Sequence, residues 1–246
     1  MPAILAGIGE KMGLADLHMH TIYSYDGTAT VPDVLRRAHK AGLDVIAITD
    51  HDEIAGALEA LKLAHHFGVE VIPGIEIDTA EGDLLALFVT EIVPKGLPLV
   101  ETVLRVRELG GICIAPHPTA RGLGLKSLSV STITKALRNP HVADTLIGIE
   151  AYNATAMDKV GIAAARLLTS RLAMASVGNS DAHVLDAIGL GATEFAGTTA
   201  SDLVSALRSG QTSIRRQKEW HVVRILWSWF FDYIGSLFTR FAMVTQ

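Results

Sequence analysis

Histidines and carboxylates occur along the sequence in close pairs whose spacing suits metal binding. His18 and His20 are two residues apart, and Asp181 and His183 repeat that spacing. Residues two apart on an extended strand point to the same face, so both side chains of each pair can reach one metal ion. One such pair is weak evidence by itself, and it is the joint pattern that indicates a metal site.

Further candidate ligands follow other apolar runs: the adjacent pair Asp50 and His51, then Glu76, then His117. A buried hydrogen-bond network is the alternative interpretation, but burying so many ionisable groups without a cation carries a heavy desolvation cost. Divalent ions remove that cost by neutralising the carboxylates, so the pattern favours a metal cluster. Imidazole and carboxylate ligands without thiolate suit Zn, Mn or Fe.

A cluster of this kind predicts hydrolysis of a phosphate ester. Two metals that share a carboxylate can activate a water molecule and stabilise negative charge on phosphate oxygens. Without metals the carboxylates would repel an anionic substrate, so activity should vanish on chelation. The same ligands could serve an amidohydrolase, because metals activate water for attack on either bond.

The candidate ligands lie near the ends of apolar runs, as expected for strands that are covered on both faces. The strand candidates are Leu14–His18, Val45–Thr49, Val69–Ile77, Leu84–Val89, Gly111–Ala115, Leu146–Glu150 and Ala173–Val177. The helix candidates are Pro32–Ala41, Ile54–Phe67, Leu97–Leu109, Thr132–Leu137, Met157–Ser170 and Ala200–Ser209. Their alternation predicts an α/β fold with a parallel sheet, closed or open. In a βα barrel, residues just past the strand ends converge on one mouth, which would bring the ligands together.

The composition limits the partners and the compartment. The chain has 246 residues and a formal net charge of −5, which gives no support for broad attraction to duplex nucleic acid. A single cysteine, Cys113, excludes an intrachain disulfide and favours a reducing cytoplasm. We expect Cys113, which lies in an apolar run, to be a buried small hydrophobe. The apolar N-terminus is short and lacks a basic start, so a signal peptide is not expected.

The C-terminal segment, residues 216–246, differs in composition from residues 1–215, which we interpret as one domain. Eight of the 14 aromatic residues lie from Trp220 onward. Apolar residues at three- or four-residue steps predict a helix in this tail. The favoured interpretation is that it packs on the barrel or on another subunit, and the second is a helix on a membrane surface. A membrane span is disfavoured, because the uncharged runs are short against the roughly 20 apolar residues that a span needs.

Four motifs occur in a specific order: Asp16-Leu-His-Met-His20, Ile48-Thr-Asp-His51, Ala115-Pro-His-Pro118 and Ser180-Asp-Ala-His183. With these motifs the sequence resembles the PHP (polymerase and histidinol phosphatase) superfamily of metal-dependent phosphoesterases, from about Asp16 to Ser213. The segments Tyr25-Asp-Gly27 and Pro73-Gly-Ile-Glu-Ile77 also fit. The resemblance implies a distorted TIM-like (β/α)7 barrel that holds two or three divalent metal ions.

The resemblance also implies a ligand set for each ion. These sets are His18, His20, Glu76 and Asp181 for the first ion, Glu76 and His117 for the second, and Asp26, His51 and His183 for the third. Glu76 would bridge two ions, and Asp181, His183 and His51 would act in the reaction itself. Asp83 stands where many members have a histidine, so it is expected either to ligate the second ion or to leave that site weaker.

Other residues are candidates for contacts with the substrate or with the ligands. Arg121 is expected to grip the phosphate, since a guanidinium pairs bidentately with phosphate oxygens. Asn153 would either bond the substrate or shape its loop. Asp52 and Asn179 are expected to orient the ligating histidines. The remaining histidines are expected to be surface groups: His39, His65, His66, His141 and His221.

The resulting hypothesis is a cytoplasmic hydrolase that acts on small phosphomonoesters, nucleotides or oligonucleotide ends through a metal-activated water. The tail would add contact with a second copy of the chain or with a membrane surface. A non-catalytic metal-binding module is the alternative from another class, and the near-complete ligand set argues against it.

Overall fold

The computed structural model describes residues 11–119, 126–155, 159–216 and 222–244. Within these ranges the strands are β1 (Met12–Asp16), β2 (Val45–Ile48), β3 (Glu70–Asp78), β4 (Asp83–Leu87), β5 (Ile112–Ala115), β6 (Leu146–Asn153), β7 (Ala175–Asn179), β8 (Gly191–Ala196) and β9 (Ser213–Arg216). The helices are α1 (Val31–Lys40), α2 (Ala55–Leu63), α3 (Leu99–Glu108), α4 (Val130–Ala136), α5 (Pro140–Thr145), α6 (Lys159–Leu172), α7 (Ala200–Ser209) and α8 (Val222–Val244). Every predicted strand and helix is present, and the structure adds β8, β9 and the short α5.

Helix ends follow the signals in the sequence. Thr30 caps α1 by accepting a hydrogen bond from the backbone N–H of Asp33. Thr199 and Asp202 form a reciprocal capping box at the start of α7. Gly42 and Gly210 follow these two helices with φ of 75° and 68°, a left-handed conformation that glycine adopts without steric cost.

The strands form one sheet in the order β7-β6-β5-β4-β3-β2-β1-β8-β9. Parallel pairs join β1 to β2, β2 to β3, β5 to β6, and β6 to β7. Strand β4 is antiparallel to both of its neighbours, and β8 is antiparallel to β1 and β9. The prediction of a parallel sheet is therefore wrong for β4, β8 and β9.

Short connections explain the reversal at β4. The turn from Thr79 to Gly82 links β3 to β4, with the Thr79 N–H donating to the Gly82 carbonyl at 3.2 Å. The Thr79 hydroxyl also accepts from the Gly82 N–H at 3.2 Å. A parallel pair needs a crossover of a dozen or more residues, which this turn cannot provide.

The sheet curls until β7 and β8 meet. The Thr193 hydroxyl on β8 accepts from the Gly178 N–H and donates to the Gly178 carbonyl, both at 3.0 Å. A Cβ at position 178 would lie 2.8 Å from the Ala192 carbonyl oxygen, so glycine permits this close approach. The result is a single α/β domain with a nearly closed, distorted barrel, which confirms the predicted fold class.

Apolar side chains fill the barrel from one end. Leu17, Leu85 and Phe195 belong to this inner core, and Leu203 of α7 packs into it. The α7 N-terminus is tied to the start of β3, because the Ala200 N–H donates to the Glu70 carboxylate at 2.8 Å. Helix α7 therefore covers the N-terminal ends of the strands, and the polar groups collect at the opposite end. A second core lies between the sheet and the outer helices, and it includes the buried Cys113, as expected.

Helix α8 confirms that the tail is helical. Trp229 on this helix packs against the outer core. Many of its other apolar side chains are exposed, including Trp227, Phe231 and Phe238. Among the described residues, no helix is long and apolar enough to cross a membrane.

Candidate metal centre

His18 and His20 lie just beyond β1, on backbone that stays extended. Met19, between them, forms an isolated bridge with Ala182, and the His20 N–H donates to the Ala182 carbonyl at 2.9 Å. The Asp181 N–H in turn donates to the His18 carbonyl at 2.8 Å. These bonds hold both imidazoles on one face and seat the Asp181 carboxylate beside them.

Four donor atoms form the most buried group of the site. His18 Nε2 lies 3.0 Å from Glu76 Oε2 and 3.3 Å from Asp181 Oδ1. His20 Nε2 lies 3.4 Å and 3.2 Å from the same two oxygens. Donors bound at about 2.0–2.1 Å to one tetrahedral ion are separated by roughly 3.3 Å, so this group fits an ion of that kind.

The Glu76 carboxylate is the centre of the arrangement. Its Oε2 also lies 3.3 Å from His51 Nδ1, and its Oε1 lies 3.3 Å from His117 Nε2. Oε1 is buried, and within the described part of the chain it has no hydrogen-bond partner of suitable geometry. A carboxylate oxygen left bare next to an imidazole nitrogen is a ready ligand for a cation, so the donor set fits metal ions on both sides of Glu76.

A further group lies nearer to the surface, around Asp26. Asp26 Oδ2 is 3.1 Å from His183 Nε2 and 3.5 Å from His51 Nε2. The His20 ring stacks between the rings of His183 and His51, with centroid distances of 4.2 and 4.6 Å. The described residues thus supply groups of closely spaced donors, namely His18, His20 and Asp181; His18, Glu76 and His117; and His20, Asp26, His51 and His183.

One described site residue predicted from the sequence, Asp83, is absent from these groups. Asp83 lies at the start of β4, and its carboxylate accepts from the Lys126 N–H at 3.2 Å. Burial and the nearby charge of Glu76 raise the pKa of Asp83 to about 7. Its oxygens are absent from the donor groups found among the described residues. Arg121 lies outside the described residues.

The histidines carry the charges that hold the carboxylates ionised. Burial disfavours the protonated form of His18, but Asp181, Glu76 and Glu150 together raise its pKa well above the ordinary value. In return, the charge of His18 holds the pKa of Glu76 and of Asp181 well below the ordinary value despite their burial. His51, next to Asp26, has its pKa raised to about 9 against the effect of burial.

Hydrogen bonds to Nδ1 point the Nε2 atoms of three histidines into the site. His18 Nδ1 lies 3.1 Å from Glu150 Oε1, and a carboxylate oxygen can only accept. His183 Nδ1 likewise faces the Asp181 carbonyl at 3.0 Å. Ser127 donates to the His117 carbonyl, so its hydroxyl can accept from His117 Nδ1 at 3.2 Å. Once a metal displaces the Nε2 proton, Nδ1 keeps its own proton and the lone pair of Nε2 can bind the metal.

Glu150 is a functional residue that the sequence reasoning missed. Its side chain is buried, and beyond His18 it accepts from the His117 N–H at 2.7 Å and from the side-chain amides of Asn153 and Asn179 at 3.0 and 2.8 Å. The sequence feature that could have identified it is a single glutamate at the end of an apolar strand. Buried carboxylates are rare unless they are paired, so such a glutamate is expected to have a specific partner.

The predicted supporting residues differ in what they contact. Asn153 donates to Asp181 Oδ2 at 2.9 Å as well as to Glu150, so it braces a ligand and shapes its loop. Asn179 donates to Glu150 at 2.8 Å, and Glu150 in turn contacts His18. Asp52, expected to orient His51, instead accepts from the Asp78 N–H at 3.0 Å and lies 3.6 Å from Lys95 Nζ. The described histidines outside the site are exposed, as predicted: His39, His65, His66 and His141.

Two other buried aspartates hold loops of the site. Asp50 accepts from the N–H and hydroxyl of Thr21 at 2.6 and 2.7 Å. Asp16 accepts from the N–H groups of Ser180 and Gly189, each at 3.0 Å. Burial raises the pKa of both carboxyls to about 6, but their partners are loop backbones and a hydroxyl rather than donors of the metal groups.

Comparison with known proteins shows the family to which the sequence is similar. The family described as PHP domain matches residues 16–176, and the family described as PHP-associated matches residues 163–212. An uncharacterized protein of Methanocaldococcus jannaschii is 42% identical over 156 residues, which cover 59% of this chain and 85% of that protein.

Solved structures are similar in fold at low sequence identity. PsfC from Pseudomonas syringae superposes with a TM-score of 0.66 at 17% identity, covering 92% of this chain and 99% of that one. A candidate metal-dependent phosphoesterase from Bifidobacterium adolescentis gives 0.55 at 20% identity, and a Chromobacterium violaceum protein described as an amidohydrolase gives 0.55 at 16%. Both of these alignments cover 69% of this chain and 87% of the other.

Proposed function

The chain belongs to the PHP domain family, and from that premise we propose that it is a metal-dependent hydrolase that cleaves phosphate esters. One observation carries the proposal. The buried Glu76 carboxylate lies within 3.4 Å of nitrogens from His18, His20, His51 and His117, with one oxygen turned to each side. This is the position of a ligand shared by two ions, and two-metal sites stabilise both the attacking and the leaving oxygen in phosphate transfer.

Different residues of the site would hold the metal ions and orient the ligands. His18, His20, Glu76 and Asp181 would hold one ion, Glu76 and His117 a second, and Asp26, His51 and His183 a third. Bound ions of Mn, Zn or Fe would lower the pKa of a water molecule and neutralise charge on phosphate oxygens. His51 and His183 lie on the exposed side of the cluster, so an ion that they held could face the substrate. Glu150 and Asn153 keep the inner ligands oriented.

The substrate we propose is a small phosphomonoester or a nucleotide. A net charge of −5 favours a small ligand over duplex nucleic acid. The similar structure from C. violaceum is described with bound sulfate, a tetrahedral anion like phosphate. Arg121 remains our candidate for gripping the phosphate.

Amide hydrolysis is the second candidate, favoured by the description of the C. violaceum protein as an amidohydrolase. Metal-activated water can attack a carbonyl carbon as well as phosphorus, so the ligand set serves both reactions. A substrate panel that includes amides separates the two candidates.

The test is phosphate release from a panel of phosphomonoesters and nucleotides, with added Mn²⁺ and with EDTA in parallel. We expect release that needs the metal. Asp181→Asn and His18→Ala should lower kcat/KM by more than the roughly 10- to 100-fold typical of residues that only support ligands. The exposed His141→Ala is the matched control. Metal-independent release, or full activity in either ligand variant, would refute the proposal.

A further inference from the structure

We propose that the C-terminal helix α8 is part of the metal centre, because Trp229 and Arg240 position the loop that carries Asp26. This inference rests on the proposed metal-dependent function. It assigns a role in the site to a segment that lies beyond residues 16–212, which the matched families cover.

Side chains of α8 bind three backbone carbonyls within four residues of the loop. Trp229 Nε1 donates to the Asp26 carbonyl at 2.9 Å. The Arg240 guanidinium donates to the Ser24 carbonyl at 2.8 Å and also to the Gly27 carbonyl. The bonds fall at Asp26 itself and on both sides of it, so they restrain the rotation of this segment as well as its position.

The residues that face the barrel form one narrow stripe of α8. Trp229, Tyr233, Ser236 and Arg240 are spaced by four, three and four residues, which places them on one face of a helix. The Trp229 and Tyr233 rings stack at 4.9 Å, and the Arg240 guanidinium lies 6.0 Å from the Tyr233 ring centroid. Through Tyr233, these contacts hold the Trp229 and Arg240 side chains in fixed positions relative to each other.

The loop that α8 restrains contacts the outer metal group, which consists of His20, Asp26, His51 and His183. Asp26 Oδ2 faces His183 and His51 at 3.1 and 3.5 Å, and Ser24 donates to Asp26 Oδ1 at 2.7 Å. The Tyr25 ring stacks on the His51 ring at 5.0 Å. The inner ligands His18, Glu76 and Asp181 are held instead by Glu150, Asn153 and the strands. Loss of the α8 contacts should therefore weaken the outer metal group and spare the inner one.

The experiment measures Mn²⁺ bound per chain, by elemental analysis after dialysis over a series of free Mn²⁺ concentrations. Trp229→Phe keeps an aromatic ring and removes the N–H donor. Arg240→Ala removes the guanidinium, and Arg240→Lys restores a charged donor. Phe238→Ala, on the exposed face of the same helix, is the matched control. We expect the weakest class of Mn²⁺ site to lose about 10- to 100-fold in affinity in Trp229→Phe and Arg240→Ala, with partial recovery in Arg240→Lys. The tighter sites and the Phe238→Ala protein should match the wild type.

The outcomes separate this inference from the proposed function. If wild-type protein binds Mn²⁺ and both variants bind it identically, α8 has no positioning role, whatever the activity. Equal weakening of all sites would also overturn the inference, because it would indicate a general loss of structure. Wild-type protein that binds none of Mn²⁺, Zn²⁺ and Fe²⁺ would overturn the proposed function and the positioning role together. Circular dichroism checks the fold of each variant, and if Arg240→Ala does not fold, the more conservative Trp229→Phe decides.

Discussion

At the residue scale, the candidate metal centre contains buried groups that support the donor residues, and Glu150 is one of them. Glu150 accepts four hydrogen bonds, from one ligating imidazole, one backbone N–H and two amides, so it links His18, His117 and, through Asn153, Asp181. An ionised carboxylate is suited to this role, because it offers several acceptor positions and no donor.

Glu150→Gln should therefore weaken metal binding while the chain stays folded. The amide keeps the shape but brings an N–H to a position where every partner is itself a donor, so at least one hydrogen bond is lost. We expect about 10- to 100-fold weaker Mn²⁺ affinity, measured by competition with a chelator. Glu194→Gln is the control, since the Glu194 carboxylate accepts from Ser213 on a strand outside the site. Unchanged affinity in Glu150→Gln would show that Glu150 is not needed.

Metal affinity should also depend on pH, because histidine ligands must be neutral to bind a metal. In the metal-free protein the Asp26 carboxylate raises the pKa of His51 to about 9, against burial, which lowers it. Below about pH 9, His51 therefore carries a proton that the metal must displace. Affinity should then rise by about tenfold per pH unit for each displaced proton, from about pH 6.5 to about pH 9. Calorimetric titration in buffers of different ionisation enthalpy would detect the released protons, and affinity that is constant over this range would contradict the expectation.

At the element scale, a buried threonine joins β7 to β8 where the barrel closes. Thr193 is fully buried, and its hydroxyl serves both polar groups of the Gly178 backbone. The loop that carries Asp181 and His183 begins directly after β7 and leads into β8, so the same contact fixes the base of this loop.

Thr193→Val should lower the free energy of unfolding by about 1–3 kcal/mol, the cost of leaving buried polar groups without partners. Valine has nearly the same shape, so packing changes little. Thr193→Ser, which keeps the hydroxyl, should recover most of the loss. Urea denaturation measures both variants, and a Thr193→Val protein as stable as the wild type would show that the barrel closes without the Thr193 hydroxyl.

At the scale of the whole molecule, one side of α8 carries apolar side chains that are exposed in the described part of the chain. Trp227, Phe230, Ile234, Leu237 and Phe241 recur at steps of three and four residues, the spacing of an apolar seam between two helices. Exposed apolar patches of this kind mark interaction sites. Helices that lie on membranes carry many basic residues on the polar face. On α8 the described Arg240 side chain is already bonded to the barrel, and Asp232 is acidic. A second copy of the chain is therefore the partner we expect.

Wild-type protein should then have twice the 26.3 kDa mass of one chain in analytical ultracentrifugation. The double variant Phe231→Glu and Phe238→Glu, at two strongly exposed positions flanking the seam, should be monomeric because it places repelling charges along the contact. Its Mn²⁺ binding should match the wild type, because Trp229 and Arg240 are unchanged. Wild-type protein that is monomeric at all concentrations would refute the pairing, and binding of that monomer to lipid vesicles would favour the membrane surface instead.

Much of the centre follows from the sequence by itself. His18 with His20, and Asp181 with His183, are local pairs, and their common face is a property of extended backbone. Apolar runs interrupted by polar residues at one end predict strands that deliver those residues to one mouth, and the order of the motifs identifies the family. Helix ends could also be predicted from the sequence, since the capping residues and terminal glycines lie within a few residues of the ends that they stabilise.

Only the tertiary structure decided which distant groups meet. Strand direction at β4 and β8 depends on pairing partners, which a strand's own residues do not encode. Glu150 serves His18 across 132 residues, and Trp229 reaches Asp26 across 203. Side-chain periodicity reports which face of an element is buried, whereas closure of the barrel determines what that face touches. The donor residues that the structure brings together were therefore predictable from local pattern, and the residues that support them, including those on α8, were not.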